Sequence, residues 1–264
     1  MIKIFFFDYF CGNFWLTIML RILYKIYFWV IAAPVFIVLT LLTATTVIIG
    51  CLLGGDRFFS YYPAMLWSRC ACLLALCSVK VKGRENIQGK TSYVFVSNHQ
   101  GAFDIFLIFG HLGAPIKWMM KKGLANIPFV GLACRMAGFI FVDASSARNA
   151  QKSISEAESK LKTGQSLIIF PEGGRTSDGR IRPFKRGAYQ IAVDLQLPLV
   201  PVTLNGPYKV MPIGSWDIRP HRLEMTIHPP VVPHKKEDNN KANLQALMME
   251  TQQIISDALW EEFK

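Results

Sequence analysis

A histidine and an aspartate five positions apart, His99 and Asp104, are the pair in this sequence whose types and spacing most favour catalysis. Residues 93–97 have the apolar pattern of a buried strand, and helical spacing of apolar side chains begins at Phe103. His99 therefore falls at a strand-to-helix turn, the position where α/β folds present reactive groups. An aspartate on the first turn of the following helix can accept a hydrogen bond from the imidazole.

The chemistry expected of this pair is general-base catalysis. Because no activated serine or cysteine stands nearby, His99 would take a proton from the substrate's own hydroxyl, while Asp104 fixes the tautomer and stabilises the imidazolium. The same spacing also arises from a helix-capping aspartate next to a surface histidine. The pair alone does not decide the function.

A second candidate segment follows the apolar run 166–170 and consists of Pro171, Glu172, Gly173, Gly174 and Arg175. Proline ends a strand, and paired glycines allow close approach of the backbone. Packing does not require a glutamate and an arginine in such a turn. This favours a binding role over the alternative, a surface turn with a local ion pair.

Basic residues are concentrated around this second segment, just before the helix expected at Gly187. Cations beside a helix N-terminus form anion sites. We predict phosphate contacts by Arg175 and Lys185, and by Lys121 and Lys122 after another strand; the alternative for the two adjacent lysines is a solvated loop. The cluster comprises Arg175, Arg180, Arg182, Lys185 and Arg186, opposed only by Asp178.

Short β-rich runs alternate with amphipathic stretches after residue 78. This alternation predicts an α/β fold with a mixed, mainly parallel sheet flanked by helices. Helices are expected at Phe103–Leu112, Ala147–Lys162, Gly187–Leu195 and Ala242–Phe263. The expected strands are Val79–Lys82, Tyr93–Ser97, Ile116–Met120, Phe139–Val142, Leu167–Phe170, Leu199–Leu204 and Leu223–Ile227.

The part before this domain is apolar, and 52% of the whole chain is hydrophobic. No charged side chain occurs between Lys25 and Asp56, and that run is longer than the roughly 20 helical residues needed to cross a bilayer. Phe58–Cys77 is apolar but contains Arg69, which we expect at the interface facing headgroups. The sequence therefore predicts a two-helix membrane anchor in residues 1–78, followed by an α/β domain in residues 79–264.

Whether the apolar run spans the membrane or bends back is left open, with Pro34, Gly50, Gly54 and Gly55 as possible bend points. Basic residues flank both of its ends, which fits a re-entrant hairpin with both ends on the cytoplasmic side. The cysteines suggest reduced thiols, in agreement with a cytosolic domain. The net charge of +11 favours a partner of opposite charge; next to a membrane anchor this is lipid, and no nucleic acid is expected.

Four blocks follow one another along the chain: Asn98–Asp104, Gly138–Asp143, Phe170–Arg175 and Val200–Val202. Together they resemble the glycerolipid acyltransferases, specifically the bacterial 1-acylglycerol-3-phosphate acyltransferases. The first resembles the catalytic His-x4-Asp block, the second a substrate-contacting block, and the likeness covers about Lys82 to Gly206. This chain departs from the family pattern at Ala144, where arginine is usual, and at Gly174, where threonine is usual; Arg148 is a candidate replacement for the arginine.

The resemblance implies transfer of a fatty acyl group from acyl-CoA or acyl-carrier protein to the sn-2 hydroxyl of lysophosphatidic acid. It implies that Glu172, Gly173 and Arg175 hold the acceptor, that no metal or cofactor takes part, and that the enzyme works at the cytoplasmic side of the cell inner membrane. Another lysolipid, an acylated amino-acid lipid or glycerol-3-phosphate is the alternative acceptor. A membrane lipid-binding protein without catalysis is the alternative of a different class.

Overall fold

A seven-stranded sheet forms the centre of the protein in the computed structural model, which describes residues 2–87, 91–143, 145–162, 164–233 and 240–264. The strand order is β1-β7-β6-β2-β5-β3-β4, and every neighbouring pair is parallel except β6 and β7. The predicted fold class is confirmed. The strands are β1 (Ser78–Lys82), β2 (Val94–Ser97), β3 (Ile116–Lys121), β4 (Ile140–Val142), β5 (Ser166–Ile169), β6 (Leu199–Asn205) and β7 (Arg222–Ile227).

Helices cover both faces of this sheet, because its central strands are apolar on both sides. Phe95 of β2 packs in one cluster with α4 and α5, whereas Val94 and Val96 pack with α7, α8 and α10 on the opposite face. The helices are α1 (Ile2–Tyr27), α2 (Ala33–Leu52), α3 (Asp56–Phe59), α4 (Tyr62–Leu74), α5 (Phe103–His111), α6 (Val130–Met136), α7 (Ala147–Lys162), α8 (Gly187–Leu195), α9 (Pro207–Val210) and α10 (Asn240–Asp257).

The apolar N-terminal part is one long helix, since α1 continues through a π-helical turn at Phe28–Ala32 into α2. Pro34 lies in the first turn of α2 and does not interrupt the helix. The chain reverses at Gly54, which has φ +84°. Gly50 permits the return, because a Cβ there would lie only 2.0 Å from the Phe59 ring.

This helix is docked along the α/β domain over most of its length. Arg21 and Lys25 form ion pairs with Asp217 at 3.4 and 3.2 Å. Further along, the Trp67 indole N–H donates to Thr40 Oγ1 at 2.9 Å. Within the described residues, Trp15–Leu52 is the stretch long and apolar enough to cross a membrane, by length and composition alone.

The second helix of the expected anchor, α4, contributes to the core of the α/β domain. Tyr61 and Cys72 pack in the same cluster as Phe95. Arg69 Nε donates to the carbonyl oxygen of Gly110 at 2.7 Å and so satisfies an unpaired carbonyl near the end of α5. The residue is exposed, and its contact with headgroups stays a prediction. The two-helix membrane anchor stays a prediction.

Two further differences concern helices. The closing helix ends at Asp257 and not at Phe263, because the Trp260 N–H donates to Asn205 Oδ1 at 2.9 Å and turns the chain. A 3-10 turn then covers Glu261–Phe263. Sequence spacing also did not predict α6, whose Ala133 and Ala137 pack on α2.

Candidate active site

The predicted site residues gather at one edge of the sheet. Strands β2, β5, β3 and β4 lie side by side and run in the same direction, so the segments following them meet at their carboxyl ends. These segments carry His99 after β2, Glu172 after β5, Lys122 after β3 and Asp143 after β4.

The His99–Asp104 pair has the geometry expected of a general base with an orienting carboxylate. His99 Nδ1 lies 2.6 Å from Asp104 Oδ2, and the Gly101 N–H donates to the same oxygen at 2.9 Å. Asp104 is fully buried, and burial raises the pKa of its carboxyl while the hydrogen bond from His99 opposes that rise. A surface histidine beside a capping aspartate does not account for this buried contact.

The other ring nitrogen of His99 is available to a substrate. The imidazole stacks on Phe170, with ring centroids 3.9 Å apart and planes at 6°. Nε2 has no hydrogen-bond partner among the described residues. It is not a buried atom, so it reaches the surface. Stacking and the Asp104 contact together fix the direction in which Nε2 points.

Glu172 holds the backbone around the histidine. Its Oε1 accepts from the His99 N–H at 2.7 Å, and its Oε2 accepts from the Arg182 N–H at 3.0 Å. Burial raises the pKa of this carboxyl to about 7, against the lowering effect of the two backbone N–H groups. The structure thus gives Glu172 a positioning role, and acceptor contact by Glu172 stays a prediction.

Two further residues fix the histidine loop and were not predicted from the sequence. The Asn98 side-chain amide donates to the Leu204 carbonyl oxygen at 2.9 Å and accepts from the Leu204 N–H at 2.8 Å, so it continues the pairing of β2 with β6. The Thr176 N–H donates to the carbonyl oxygen of His99 at 3.1 Å. An asparagine directly before the candidate histidine, at the end of an apolar run, was the available signal for Asn98; the Thr176 contact has none.

Two of the predicted cations converge on the glycine turn. Gly173 has φ +77°, and a Cβ built there would lie 2.4 Å from Lys185 Nζ. A Cβ on Gly174 would lie 3.4 Å from Lys121 Nζ. Arg175 next to them is exposed and makes no ion pair within the described part of the chain. Three positive charges therefore surround a turn without a side chain, which is suited to a phosphate.

Lys122 and Arg148 are placed differently. Lys122 Nζ forms an ion pair with Asp143 Oδ2 at 2.9 Å, and hydrogen bonds from Ser145 and Lys122 lower the pKa of the Asp143 carboxyl. Arg148 is exposed on α7, and the described residues show no contact between it and the rest of the site. Ala144 lies outside the described residues. Phosphate contact by Lys122 and Arg148 stays a prediction, as does the expected lack of a metal.

The family model described as Acyltransferase matches residues 78–205, a little under half of the chain. The matched residues begin at β1 and end with β6, and they include His99, Asp104 and the glycine turn.

Several named acyltransferases are similar to this chain. It is 35% identical over 183 residues to a chloroplastic 1-acyl-sn-glycerol-3-phosphate acyltransferase of Brassica napus, a match covering 69% of this chain and 53% of that protein. It is 36% identical over 128 residues to the human 1-acyl-sn-glycerol-3-phosphate acyltransferase alpha, covering 48% and 45%. The chain thus spans about half the length of the curated relatives it matches.

A solved structure is similar over nearly the whole chain. The crystal structure of the 1-acyl-sn-glycerophosphate acyltransferase PlsC of Thermotoga maritima superposes with a TM-score of 0.70 at 28% identity. The match covers 92% of this chain and 98% of that chain. The N-terminal helices are therefore largely included in the shared fold.

Proposed function

We propose that this chain is a 1-acyl-sn-glycerol-3-phosphate O-acyltransferase that converts lysophosphatidic acid into phosphatidic acid. The observation that carries the proposal is the buried His99–Asp104 pair, whose accessible Nε2 lies at the same edge of the sheet as a cation-lined glycine turn. A base beside an anion site fits an acceptor that carries both a hydroxyl and a phosphate. The similar enzymes named above are acyltransferases with such an acceptor.

In the proposed reaction, His99 Nε2 takes the proton of the sn-2 hydroxyl as the hydroxyl oxygen attacks the carbonyl carbon of the acyl thioester. Asp104 stabilises the imidazolium that forms. The carbon–sulfur bond then breaks, and the leaving thiolate receives the proton from the imidazolium. General-base assistance of this kind contributes about 10² to 10⁴-fold in rate. No covalent acyl-enzyme is formed.

The acceptor phosphate is proposed to bind at the glycine turn. Lys121, Lys185 and Arg175 are the three cations next to Gly173 and Gly174. Because Gly173 lacks a side chain, the phosphate can approach the backbone between the lysines. The acyl donor is proposed to be acyl-CoA or acyl-carrier protein.

Membrane association is proposed to rest on the long N-terminal helix. Its outward face carries large exposed apolar side chains, among them Trp29, Ile37 and Leu42, while other positions are docked on the domain. Trp15–Leu52 is about 57 Å long at 1.5 Å per residue, compared with roughly 30 Å for the hydrocarbon core of a bilayer. A helix of this length docked on its own domain favours attachment to a membrane surface over a simple crossing. The surface is proposed to be the cytoplasmic face of the cell inner membrane.

The deciding experiment measures release of free thiol from a long-chain acyl-CoA by the purified protein, with and without lysophosphatidic acid. We expect acceptor-dependent release in the wild type and loss of it in His99→Ala. The matched control is His221→Ala, since that histidine lies against Trp260 and away from the site.

A panel of acceptors separates the remaining alternatives. If a phosphate-free acceptor were used best, the lysophosphatidate assignment would be wrong while the reaction class would stand. If the wild type were inactive with both donors and every acceptor, the lipid-binding alternative without catalysis would replace the enzyme.

A further inference from the structure

A second apolar surface lies on the α/β domain, directly after β3. Four large side chains between the end of β3 and the middle of α6 are exposed: Leu124 by 42%, Ile127 by 43%, Phe129 by 61% and Leu132 by 47%. They fall within nine residues, so they form a local patch and not scattered single positions. Concentrated exposure of large apolar groups marks a binding surface.

The backbone holds the most exposed of them in an unfavourable conformation. Phe129 has φ +59° and ψ −51°, and the Val130 N–H donates to the Pro128 carbonyl oxygen at 2.6 Å. This is a γ-turn with positive φ, a rare and strained arrangement for a residue with a side chain. A strained turn that directs a phenylalanine into solvent is more readily explained by a role at the surface than by packing.

The turn is rigid as well as exposed. The Gly131 N–H donates to the Ile127 carbonyl oxygen at 2.8 Å. A Cβ on Gly131 would lie 2.2 Å from the Ala125 carbonyl oxygen, so only glycine permits this close approach. Phe129 is therefore presented from a tightly built loop, which reduces the entropy lost when it binds.

The patch lies beside the N-terminal helix. The following helix, α6, packs Ala133 and Ala137 against Ala44 and Val47 of α2. Leu41 and Leu42 of α2 are 47% and 59% exposed, on the part of that helix next to Ala44. The patch and the exposed apolar side chains of α2 thus belong to neighbouring, directly packed elements.

Charge indicates what covers this surface. The sequence contains no acidic residue between Asp104 and Asp143, whereas the exposed bases Lys121, Lys122 and Arg135 lie in that interval. An apolar patch in a segment with basic residues only is complementary to an anionic lipid surface, where apolar side chains enter the acyl boundary and cations remain among headgroups.

We propose that residues 124–132 form a second membrane contact, with Phe129 inserted at the boundary between headgroups and acyl chains of an anionic bilayer. The contact would lie close to the catalytic edge, because Lys121, which ends β3 just before this segment, reaches the Gly174 turn. It would bring the site to the depth at which a lipid acceptor presents its headgroup. The contact itself does not depend on acyl transfer.

The test places the photoreactive phenylalanine analogue benzoylphenylalanine at position 129 of the full chain, reconstituted in vesicles of phosphatidylethanolamine and phosphatidylglycerol. The matched control carries it at Met249, which is 64% exposed on α10 and so belongs to the opposite face of the sheet. After irradiation, we expect lipid adducts by mass spectrometry at position 129, in about fivefold or greater excess over position 249.

Adducts at position 129 to a second copy of the chain, or equal lipid labelling at both positions, would overturn the proposal.

A kinetic measurement gives an independent check. Phe129→Asn, a residue that tolerates positive φ, should raise the apparent KM for long-chain lysophosphatidic acid in vesicles by about fivefold and leave the KM for a short-chain, water-soluble analogue unchanged. An equal effect on both acceptors contradicts membrane contact. If the wild type showed no acyl transfer, the proposed function would fail while the adduct test would still decide this one.

Discussion

Asp104 governs the chemistry available to His99, because it is fully buried and contacts the imidazole directly. Burial raises the pKa of the Asp104 carboxyl, and the hydrogen bond from His99 opposes that rise. The carboxylate therefore interacts most favourably with His99 when the imidazolium forms, because the buried negative charge then has a cation beside it. This arrangement suits the proton transfer proposed for His99.

Replacing Asp104 by asparagine keeps the shape and removes the charge. We expect kcat of Asp104→Asn to fall by about 10² to 10⁴-fold, because the wrong tautomer becomes accessible and the imidazolium loses its partner. Initial rates of thiol release measure this. The melting temperature serves as the control for folding, and turnover within twofold of wild type would contradict the role given to Asp104.

Glu172 should make stability depend on pH. Burial raises the pKa of its carboxyl from the ordinary 4.5 to about 7, so between these pH values the folded protein binds more protons than the unfolded chain. The contribution of Glu172 to the free energy of unfolding is then fully present below pH 4.5 and is lost as the pH rises towards 7. The loss is roughly 3 kcal/mol at most.

The measurement compares wild type with Glu172→Gln by thermal unfolding at pH 5 and pH 8. Glutamine does not titrate. Its NH₂ group would stand where one carboxylate oxygen of Glu172 accepts a backbone N–H in the wild type, so we expect the variant to be less stable at both pH values. The difference in melting temperature, wild type minus variant, should decrease from pH 5 to pH 8. A constant or increasing difference would show that the pKa of Glu172 is not raised.

Lys117 joins three elements at one point. Its Nζ donates to Ser60 Oγ, after α3, and to the Ala137 carbonyl oxygen, at the end of α6, both at 2.7 Å. Burial lowers the pKa of this lysine. One side chain of β3 therefore connects the N-terminal helices to the segment that carries the exposed patch.

Lys117→Met should loosen this junction. The Ala137 carbonyl and the Ser60 hydroxyl would lose their donor, which costs about 1–3 kcal/mol per unsatisfied buried group. Hydrogen exchange of α3, α4 and α6 should rise more than that of α8. Lys80→Met is the matched control, because Lys80 is exposed on the edge strand β1; equal exchange in both variants would rule out the junction.

At the scale of the whole molecule, the predicted boundary after residue 78 divides a shared core. Tyr61, Cys72 and Ala75 pack in one cluster with Phe95 and Leu107. The long helix is in turn packed on α4 and α6. Residues 1–78 are therefore more than an attachment to an independent domain in this fold, and the boundary itself stays a prediction.

A chain of residues 79–264 tests that boundary. We expect it to lose the cooperative thermal transition of the full chain, because α5 would expose the apolar surface that α4 covers. A chain beginning at Asp56 retains α4 and should keep more of the transition. Circular dichroism during heating distinguishes the two, and a cooperative melt of residues 79–264 at the temperature of the full chain would support the boundary.

The seven strands could be predicted because each is a short β-rich run, either largely apolar as at β2 or alternating between apolar and polar residues as at β1. The contact between His99 and Asp104 could be predicted because five positions are short enough for local geometry to apply. The hydrogen-bond partners of the two Glu172 oxygens could not be predicted. These partners, the backbone N–H groups of His99 and Arg182, depend on how β2 and β5 pair. The helix α6 was missed because small residues that pack on a distant helix leave no apolar periodicity.

The pairing of β1 with β7 sets a limit on the order of events during synthesis. Ser78 pairs with Arg222, and Asp217 holds Arg21 and Lys25 of α1. At translation rates of about 5 to 20 residues per second, the first strand waits roughly 7 to 30 seconds for its neighbour. The N-terminal helices therefore leave the ribosome well before the sheet that they pack against is complete. We expect ribosome-bound chains stalled before Arg222 leaves the exit tunnel to remain protease-sensitive at β1 and to depend on lipid for solubility.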